Sequence, residues 1–351
     1  MICVGCGWNG WPSRAFVANV TSFMELFDAV RANLFSPAVL FFALGVFAAV
    51  VKSDLRFPEQ LYAGLTIYLL VAIGFKGGVA FAAAGFASVW LPASAAILLG
   101  ALIPLWSYPI LRFWGKLSQV DAAAVAAHYG SVSAVTFIAA TNYLTAIGQP
   151  FENYASAFLA VMESPAILVG VLLGKRTAAR AGGSRWEGSL REVMHEALFG
   201  RSVVLLVGAL VVGALAGAGG MAKVEAFFVT PFQGVLALFL LEMGLVAGRR
   251  LGELRKVGVF LLCFGMLMPL LNGLIGVWLG QATGLSLGGA ALLGVLAASA
   301  SYIAAPAAIR LSLPDANPAL SLTAALAVTF PFNLTLGIPY CLEVARWLYS
   351  S

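Results

Sequence analysis

Ten apolar stretches, each about as long as a bilayer crossing requires, follow one another along almost the whole chain, and they leave few folds open. They are centred in 36–51, 60–75, 92–111, 121–144, 151–173, 201–219, 225–247, 257–280, 287–311 and 318–348. In hydrocarbon every backbone N–H and C=O must find an internal partner, so only helices or a closed barrel can span. Barrel strands need only about ten residues, whereas these runs have helical length. Hydrophobic residues fill 61% of the 351 positions and charged residues 10%, which excludes an ordinary soluble domain. The expected fold is an all-α polytopic membrane protein with ten transmembrane helices.

The basic residues orient it. Lys52, Arg56, Arg112, Lys116, Lys175, Arg176, Arg180, Arg185, Arg191, Arg201, Arg249, Arg250, Arg255, Lys256 and Arg310 fall in or beside the odd-numbered loops, and only Arg14, Arg31, Lys76, Lys223 and Arg346 fall on the other side. By the positive-inside rule the odd loops are cytoplasmic and both termini lie outside, as expected for a bacterial inner-membrane protein. The net charge of +5 is thereby accounted for as topology, and no nucleic-acid partner is implied.

Landmarks recur at a nearly constant spacing. Pro58 pairs with Pro231 (173 positions), Gly74 with Gly244 (170), Pro104 with Pro269 (165), Ser133 with Ser301 (168) and Pro165 with Pro331 (166). Each half holds five spans, and an odd number forces the second half into the membrane upside down. The expected organisation is an extracytoplasmic tail (1–30), a first five-helix repeat (31–173), a cytoplasmic linker (174–200) and a second, inverted repeat (201–351). Within the linker, Ala179–Gly188 is rich in Gly, Ser and Arg. Trp186–Leu198 reads either as a short amphipathic surface helix or as plain connection whose basic residues set topology.

The fourth and ninth spans are each interrupted. Tyr129-Gly130-Ser131-Val132-Ser133 and Ala298-Ser299-Ala300-Ser301-Tyr302 put small and hydroxyl residues where a continuous helix would otherwise run. Broken helices at matching places in two halves mark the solute and ion site of a secondary transporter. Half-helices beginning at these breaks present unpaired N–H groups and about half a positive charge each, which suits a small anion, and serine can cap them. The expected substrate-binding residues are Gly130, Ser131, Ser133, Ser299, Ser301 and Tyr302.

Oxygen ligands for a cation lie close by. Pro306, Pro165 and Pro331 would free the carbonyls of Tyr302, Val161 and Ala327 if their turns are helical. With serine and threonine hydroxyls these suit Na⁺, so Ser133, Thr136, Glu163, Ser301, Tyr302 and Asn333 are the expected ion-coupling set. Glu163 is an intramembrane carboxylate, placed to ligate Na⁺, carry a proton or pair with a neighbouring helix. Glu242 is expected to pair with Arg249 or Lys76, His128 to be a packing residue, and His195 to be solvated.

Enzyme motifs are absent. The chain has no G-x-S-x-G, no H-E-x-x-H, no Walker sequence and no His/Cys cluster, so it is read as a transporter driven by an ion gradient, with Na⁺ and no organic cofactor. Cys3 and Cys6 form a C-x-x-C with no second pair, and Cys263 and Cys341 read as apolar fillers within spans. Residues 1–23 lack the order of a signal peptide, and Met24 is an alternative start.

Several segments carry a family resemblance over roughly 30–350. They are Val120-Asp121-Ala122 with Gly130-Ser131-Val132-Ser133; Gly252-Glu253-Leu254-Arg255-Lys256-Val257; Leu285-Ser286-Leu287-Gly288-Gly289; and Ala297-Ala298-Ser299-Ala300-Ser301 through Pro306 and Arg310 to Ala316-Asn317-Pro318. Together they resemble the sodium-dependent bicarbonate transporters. The resemblance implies a ten-span inverted-repeat carrier, usually trimeric, that moves bicarbonate with Na⁺ by an elevator-like shift. It places substrate between the broken fourth and ninth spans, with Ser131, Ser133, Ser299 and Ser301 lining the anion and sodium sites. It also implies a PII-like regulatory protein at the cytoplasmic face. The chain departs from that pattern in having Tyr302 in place of an aspartate, Ala305-Pro306 in place of glycine then proline, Val135 in place of a serine, and a shorter linker. The missing carboxylate removes one cation ligand, and Val135 makes its wall less polar.

Three functional readings follow. The first is Na⁺-coupled bicarbonate import. The second is a Na⁺- or H⁺-coupled carrier of another small anion such as a monocarboxylate, which Tyr302 and Val135 favour. The third is a non-transporting membrane sensor that reports occupancy through the basic linker around Trp186.

Overall fold

The computed structural model describes residues 35–180, 195 and 198–350. The C-x-x-C at Cys3 and Cys6, the question of residues 1–23, and most of the linker around Trp186 lie outside the described residues. What is described is helical throughout, and eight helices are long and apolar enough to cross a membrane. Two shorter apolar helices, Val39–Val50 and Leu287–Ala298, accompany them.

Local chemistry explains the boundaries. Helix α1 (Pro37–Val50) opens with Ser36, whose Oγ accepts from the Val39 amide at 3.4 Å, and with Pro37 in the first turn, where a missing N–H costs nothing. Helix α2 (Glu59–Ala84) ends at Gly85, whose φ of +76° is a left-handed conformation that glycine adopts without strain. The chain then enters α3 (Phe86–Pro109), which carries three internal prolines and closes in a π turn at Ile110–Trp114. Helix α4 (Gln119–Gly130) and helix α5 (Ala134–Ala146) share one span across the first break. Helix α6 (Ser156–Arg180) completes the first half.

The second half begins with α7 (Arg201–Phe228), which is interrupted at Gly217, where φ is +60°. It continues with α8 (Phe232–Arg250), then α9 (Leu254–Ala282), interrupted at Gly258 with φ +80°. Helix α10 (Leu287–Ala298) and helix α11 (Ala304–Ser312) flank the second break. The last span runs from Pro318 to Ser350 and passes through two π stretches, Thr323–Thr329 and Asn333–Gly337, on either side of Pro331. A proline that withholds its N–H breaks the regular ladder there, and the wider turns accommodate the loss.

Apolar surface gives helices little reason to associate in lipid, so close backbone approach and buried polar contacts must hold the bundle together. Helix α1 packs on α8, and α2 on α7. A Cβ on Gly45 would lie 2.1 Å from the Leu241 carbonyl oxygen, and one on Gly244 2.1 Å from that of Phe42. In the other pair, a Cβ on Gly213 would lie 2.1 Å from the Phe75 carbonyl and one on Gly74 2.5 Å from that of Leu206. Gly45 and Gly213 are 168 positions apart, and Gly74 and Gly244 are 170 apart, and one glycine of each pair sits in each of the two crossings.

The remaining helices form a second group. Helix α6 lies against α3 and α4, while α9 lies against α10 and the last span. Polar links cross this group. Trp106 Nε1 donates to Asn272 Oδ1 at 3.0 Å, tying α3 to α9, and the Tyr129 hydroxyl meets Thr329 Oγ1 at 2.6 Å, tying α4 to the last span.

Glu242 meets expectation in part. It is buried and forms no close ion pair with Arg249, whose guanidinium donates to the Leu55 carbonyl at 3.0 Å, or with Lys76, whose Nζ sits 4.6 Å from the centre of the Phe232 ring, yet the Arg249 charge still acts on its carboxyl group. Glu242 Oε2 has no hydrogen-bond partner.

Candidate functional site: the crossing of two broken helices

Helices α4 and α10 are both twelve residues long, and each opens on a serine cap. Ser118 Oγ accepts from the Asp121 amide at 3.0 Å, and Ser286 Oγ, 168 positions later, accepts from the Gly289 amide at 3.2 Å. Both helices end where the backbone turns extended, at Ser131 (φ −78°, ψ 160°) and Ser299 (φ −84°, ψ 164°). Small residues bring the two breaks into direct contact. The Ser133 amide donates to Ser299 Oγ at 2.9 Å, and the Ser301 amide donates to the His128 carbonyl at 2.8 Å. Each break thus satisfies backbone groups of the other, at a depth where an unmet amide would cost several kcal/mol.

The serines also restart the helices. Ser133 Oγ accepts from the Thr136 amide at 3.1 Å at the head of α5, and Ser301 Oγ accepts from the Ala305 amide at 3.2 Å at the head of α11. Pro306 lies in the first turn of α11, so it withholds no bond that the helix needs. The expectation that it frees a helical Tyr302 carbonyl fails because Tyr302 is itself outside the helix.

The outer ends of the broken spans are pinned by two acids, Asp121, which the sequence marks only as part of a family segment, and Glu152, which it does not mark. Asp121 Oδ1 accepts from the Asn317 amide at 2.7 Å, joining the start of α4 to the loop before the last span. Glu152 accepts from the Ser286 amide at 2.6 Å and from its hydroxyl at 3.0 Å, joining the start of α10 to the loop before α6. Their signal was available: Asp121 is an acid in the first turn of one broken span, and Glu152 is an acid in the loop that follows it.

A cavity of about 20 Å³ lies where the breaks face α2, α6 and α7. Ser133, Glu163, Ser301 and Tyr302 line it, together with the first residues of both half-helices. Leu70 of α2 and Leu206 of α7 form the opposite wall, and neither had any marker in the sequence. Glu163 is 6% exposed, and no hydrogen bond or ion pair to it is formed among the described residues. The Tyr302 hydroxyl is buried near Ser133 without a completed hydrogen bond. The facing elements therefore supply two helix N-termini, two hydroxyls, a phenol and one carboxylate around a space for about one water or one ion.

This cavity shares Leu70, Tyr302, Ile303 and Ala304 with an open vestibule of about 310 Å³. The vestibule is lined further out by Glu59 and Tyr62 of α2 and by Arg201 at the start of α7.

Other expected site residues sit behind this surface. Gly130 packs where a Cβ would meet Pro104 at 2.4 Å, which explains a glycine there without any ligand. Ser131 is buried with its hydroxyl unpartnered. Ser299 is occupied between Ser133 and the Leu296 carbonyl, to which its hydroxyl donates at 2.8 Å. Thr136 is buried in α5, and Asn333 Nδ2 donates to the Ala298 carbonyl at 2.8 Å, partnering a carbonyl at the buried C-terminal end of α10. Among the described residues no group of three or more His, Cys, Asp or Glu side chains could hold a metal ion.

A search among curated proteins found no match. The model of one family, the Na⁺-dependent bicarbonate transporter superfamily, matches residues 37–346, nearly all of the helical bundle that builds this crossing. The chain belongs to that superfamily.

Proposed function

We propose that this protein is a secondary transporter that imports bicarbonate with Na⁺ by alternating access at the crossing of the broken fourth and ninth spans. The observation that carries this reading is the unpartnered Glu163 carboxylate in a cavity headed by two capped helix N-termini. A buried anionic carboxylate attracts a cation, while N-terminal amides attract an anion. Volumes divide the roles. The inner cavity of about 20 Å³ suits one desolvated ion beside Glu163, Ser133 and Ser301. A four-heavy-atom anion needs the wider opening at Tyr302, Ile303 and Ala304, where the vestibule begins.

The architecture that goes with this function is ten spans in two inverted halves, 31–173 and 201–351. Support comes from the matched caps, matched breaks and exchanged glycine crossings at spacings of 168–170. The vestibule opens toward Glu59 and Arg201, on the side that the basic loops assign to the cytoplasm, with both termini outside. In the elevator cycle, the group containing both breaks moves against α1, α2, α7 and α8. The assembly is a homotrimer in the inner membrane, with a PII-like protein as a candidate cytoplasmic partner.

Apolar walls favour one second reading. Leu70, Val132, Leu159 and Leu206 surround Tyr302, a lining that would accept the methyl group of a small monocarboxylate. The test is uptake of radiolabelled bicarbonate into liposomes at fixed pH, with an inward Na⁺ gradient or choline instead. Sodium-dependent accumulation that Ser301→Leu abolishes is expected. Accumulation of acetate or pyruvate, without bicarbonate flux, would replace the first reading with the second.

A further inference from the structure

On the far side of the α4 terminus lies a second cavity, of about 80 Å³, that shares no residue with the first. His128, Pro306, Ile309, Arg310, Leu313 and Ser321 are among its lining residues. His128 is 1% exposed and belongs to the last turn of α4. Its Nδ1 lies 2.7 Å from the Ala124 carbonyl, which can only accept, so Nδ1 carries the hydrogen. That leaves Nε2 of the neutral ring as an acceptor, and it is buried with no partner. A group in that condition is costly unless something enters the cavity to donate to it.

A cation stands at the cavity's rim. Arg310, in the last turn of α11, is exposed and forms no ion pair or hydrogen bond among the described residues, so its guanidinium is free to turn to a ligand there. Of the acids near its wall, Asp121 is engaged by the Asn317 amide and the Ser118 hydroxyl, and Asp315, exposed between the lining residues Pro314 and Ala316, forms no ion pair with Arg310. The rest of the wall is largely apolar, which strengthens whatever polar contacts form there.

We infer that this cavity is a second anion site, in which His128 and Arg310 together hold a small oxyanion that carries a hydroxyl hydrogen. The hydroxyl donates to Nε2 while an anionic oxygen accepts from the guanidinium, so one molecule answers the buried unmet nitrogen and pairs with the cation at the rim. Bicarbonate and hydrogenphosphate share this chemistry; nitrate has the charge and shape but no hydrogen to give. The volume holds roughly five to eight water-sized units, enough for four or five heavy atoms. The site is separate from the proposed transport cavity, yet the His128 backbone carbonyl is the acceptor for the Ser301 amide, so one residue borders both.

The chain has only two histidines, His128 and His195, which makes imidazole nitrogen NMR of the full-length protein in nanodiscs a direct readout. With isotope-labelled histidine, His195→Gln assigns the signals. Titration with bicarbonate or with inorganic phosphate is expected to move the His128 Nε2 resonance saturably, and whichever anion does so identifies the source. Nitrate at the same concentrations leaves the resonance in place. Arg310→Gln weakens the response by about ten-fold or more, the loss of a charge-assisted contact. Glu163→Gln, which alters only the other cavity, leaves it intact, so a failed transport reading and a failed second site are distinguishable. An equal response to nitrate, a response that survives Arg310→Gln, or no response to any of the three anions overturns the inference.

Discussion

Ser131 and Ser299 occupy equivalent positions in the two breaks, 168 residues apart, and the same substitution should affect them in opposite ways. Ser299 Oγ accepts from the buried Ser133 amide at 2.9 Å and donates to the Leu296 carbonyl at 2.8 Å. Ser299→Ala leaves that amide without its partner in an apolar surround, and an orphaned buried donor costs about 1–3 kcal/mol. Each kcal/mol moves the melting temperature by roughly 2–4 °C for 150–250 residues and by less for a longer chain, so a loss of a few degrees, under about 12 °C, is expected. Ser131 Oγ, by contrast, is buried with no hydrogen-bond partner. Removing an unsatisfied hydroxyl costs no bond, so Ser131→Ala should fall within about 0.5 kcal/mol of the parent or above it. The assay is thermal unfolding of both variants in one detergent, followed by tryptophan fluorescence and by size-exclusion profile. Equal losses in the two variants would refute the claim that the crossing is held by Ser299 rather than by a symmetric pair of serines.

Other perturbations follow from the same geometry. Glu163→Gln keeps shape and volume while removing the ionisable carboxyl that the cavity's helix termini face, so folding should persist and sodium-dependent accumulation should be lost; an unchanged Na⁺ dependence removes Glu163 from coupling. Tyr302→Phe deletes a hydroxyl with no completed bond, so stability should change by under about 1 kcal/mol while the half-saturating substrate concentration moves; a large drop in melting temperature would show a structural bond instead. Gly45→Val places a Cβ 2.1 Å from the Leu241 carbonyl and must push α1 from α8. Overpacking of this kind costs about 1–3 kcal/mol or more, and Gly64→Ala, where nothing lies within 4 Å, is the control for yield in detergent.

Much of the molecule is legible in its residues. Apolar run length dictates membrane helices, because hydrocarbon leaves backbone groups no other partner. The serine-rich interruptions mark the breaks, because small hydroxyl residues are what let two extended segments meet and bond at that depth. Even the capping serines, Ser118 and Ser286, sit at the spacing that the breaks announce. Helix ends depend on neighbours a few positions away, and such information is local.

Which of those residues face a ligand is decided only in three dimensions. Ser133 and Ser301 line the cavity while Ser131 and Ser299 lie behind it, although regular extended backbone would send residues two apart to the same side; the contact between the breaks, in which Ser299 bonds the Ser133 amide, decides which hydroxyls stay open. Glu163 and Asn333 both belong to the expected ion-coupling set, yet Glu163 faces the cavity and Asn333 is spent on the Ala298 carbonyl. Leu70 and Leu206 form a cavity wall though nothing distinguishes them from other leucines in their helices. His128 reads as packing until α11 carries Arg310 to the same cavity, from a position far along the chain. Composition and period set what can enter the membrane and where it must break, since those are properties of single segments. The pairing of charges, cavities and orphaned polar atoms belongs to the packing of segments distant in sequence, and only the tertiary structure determines it.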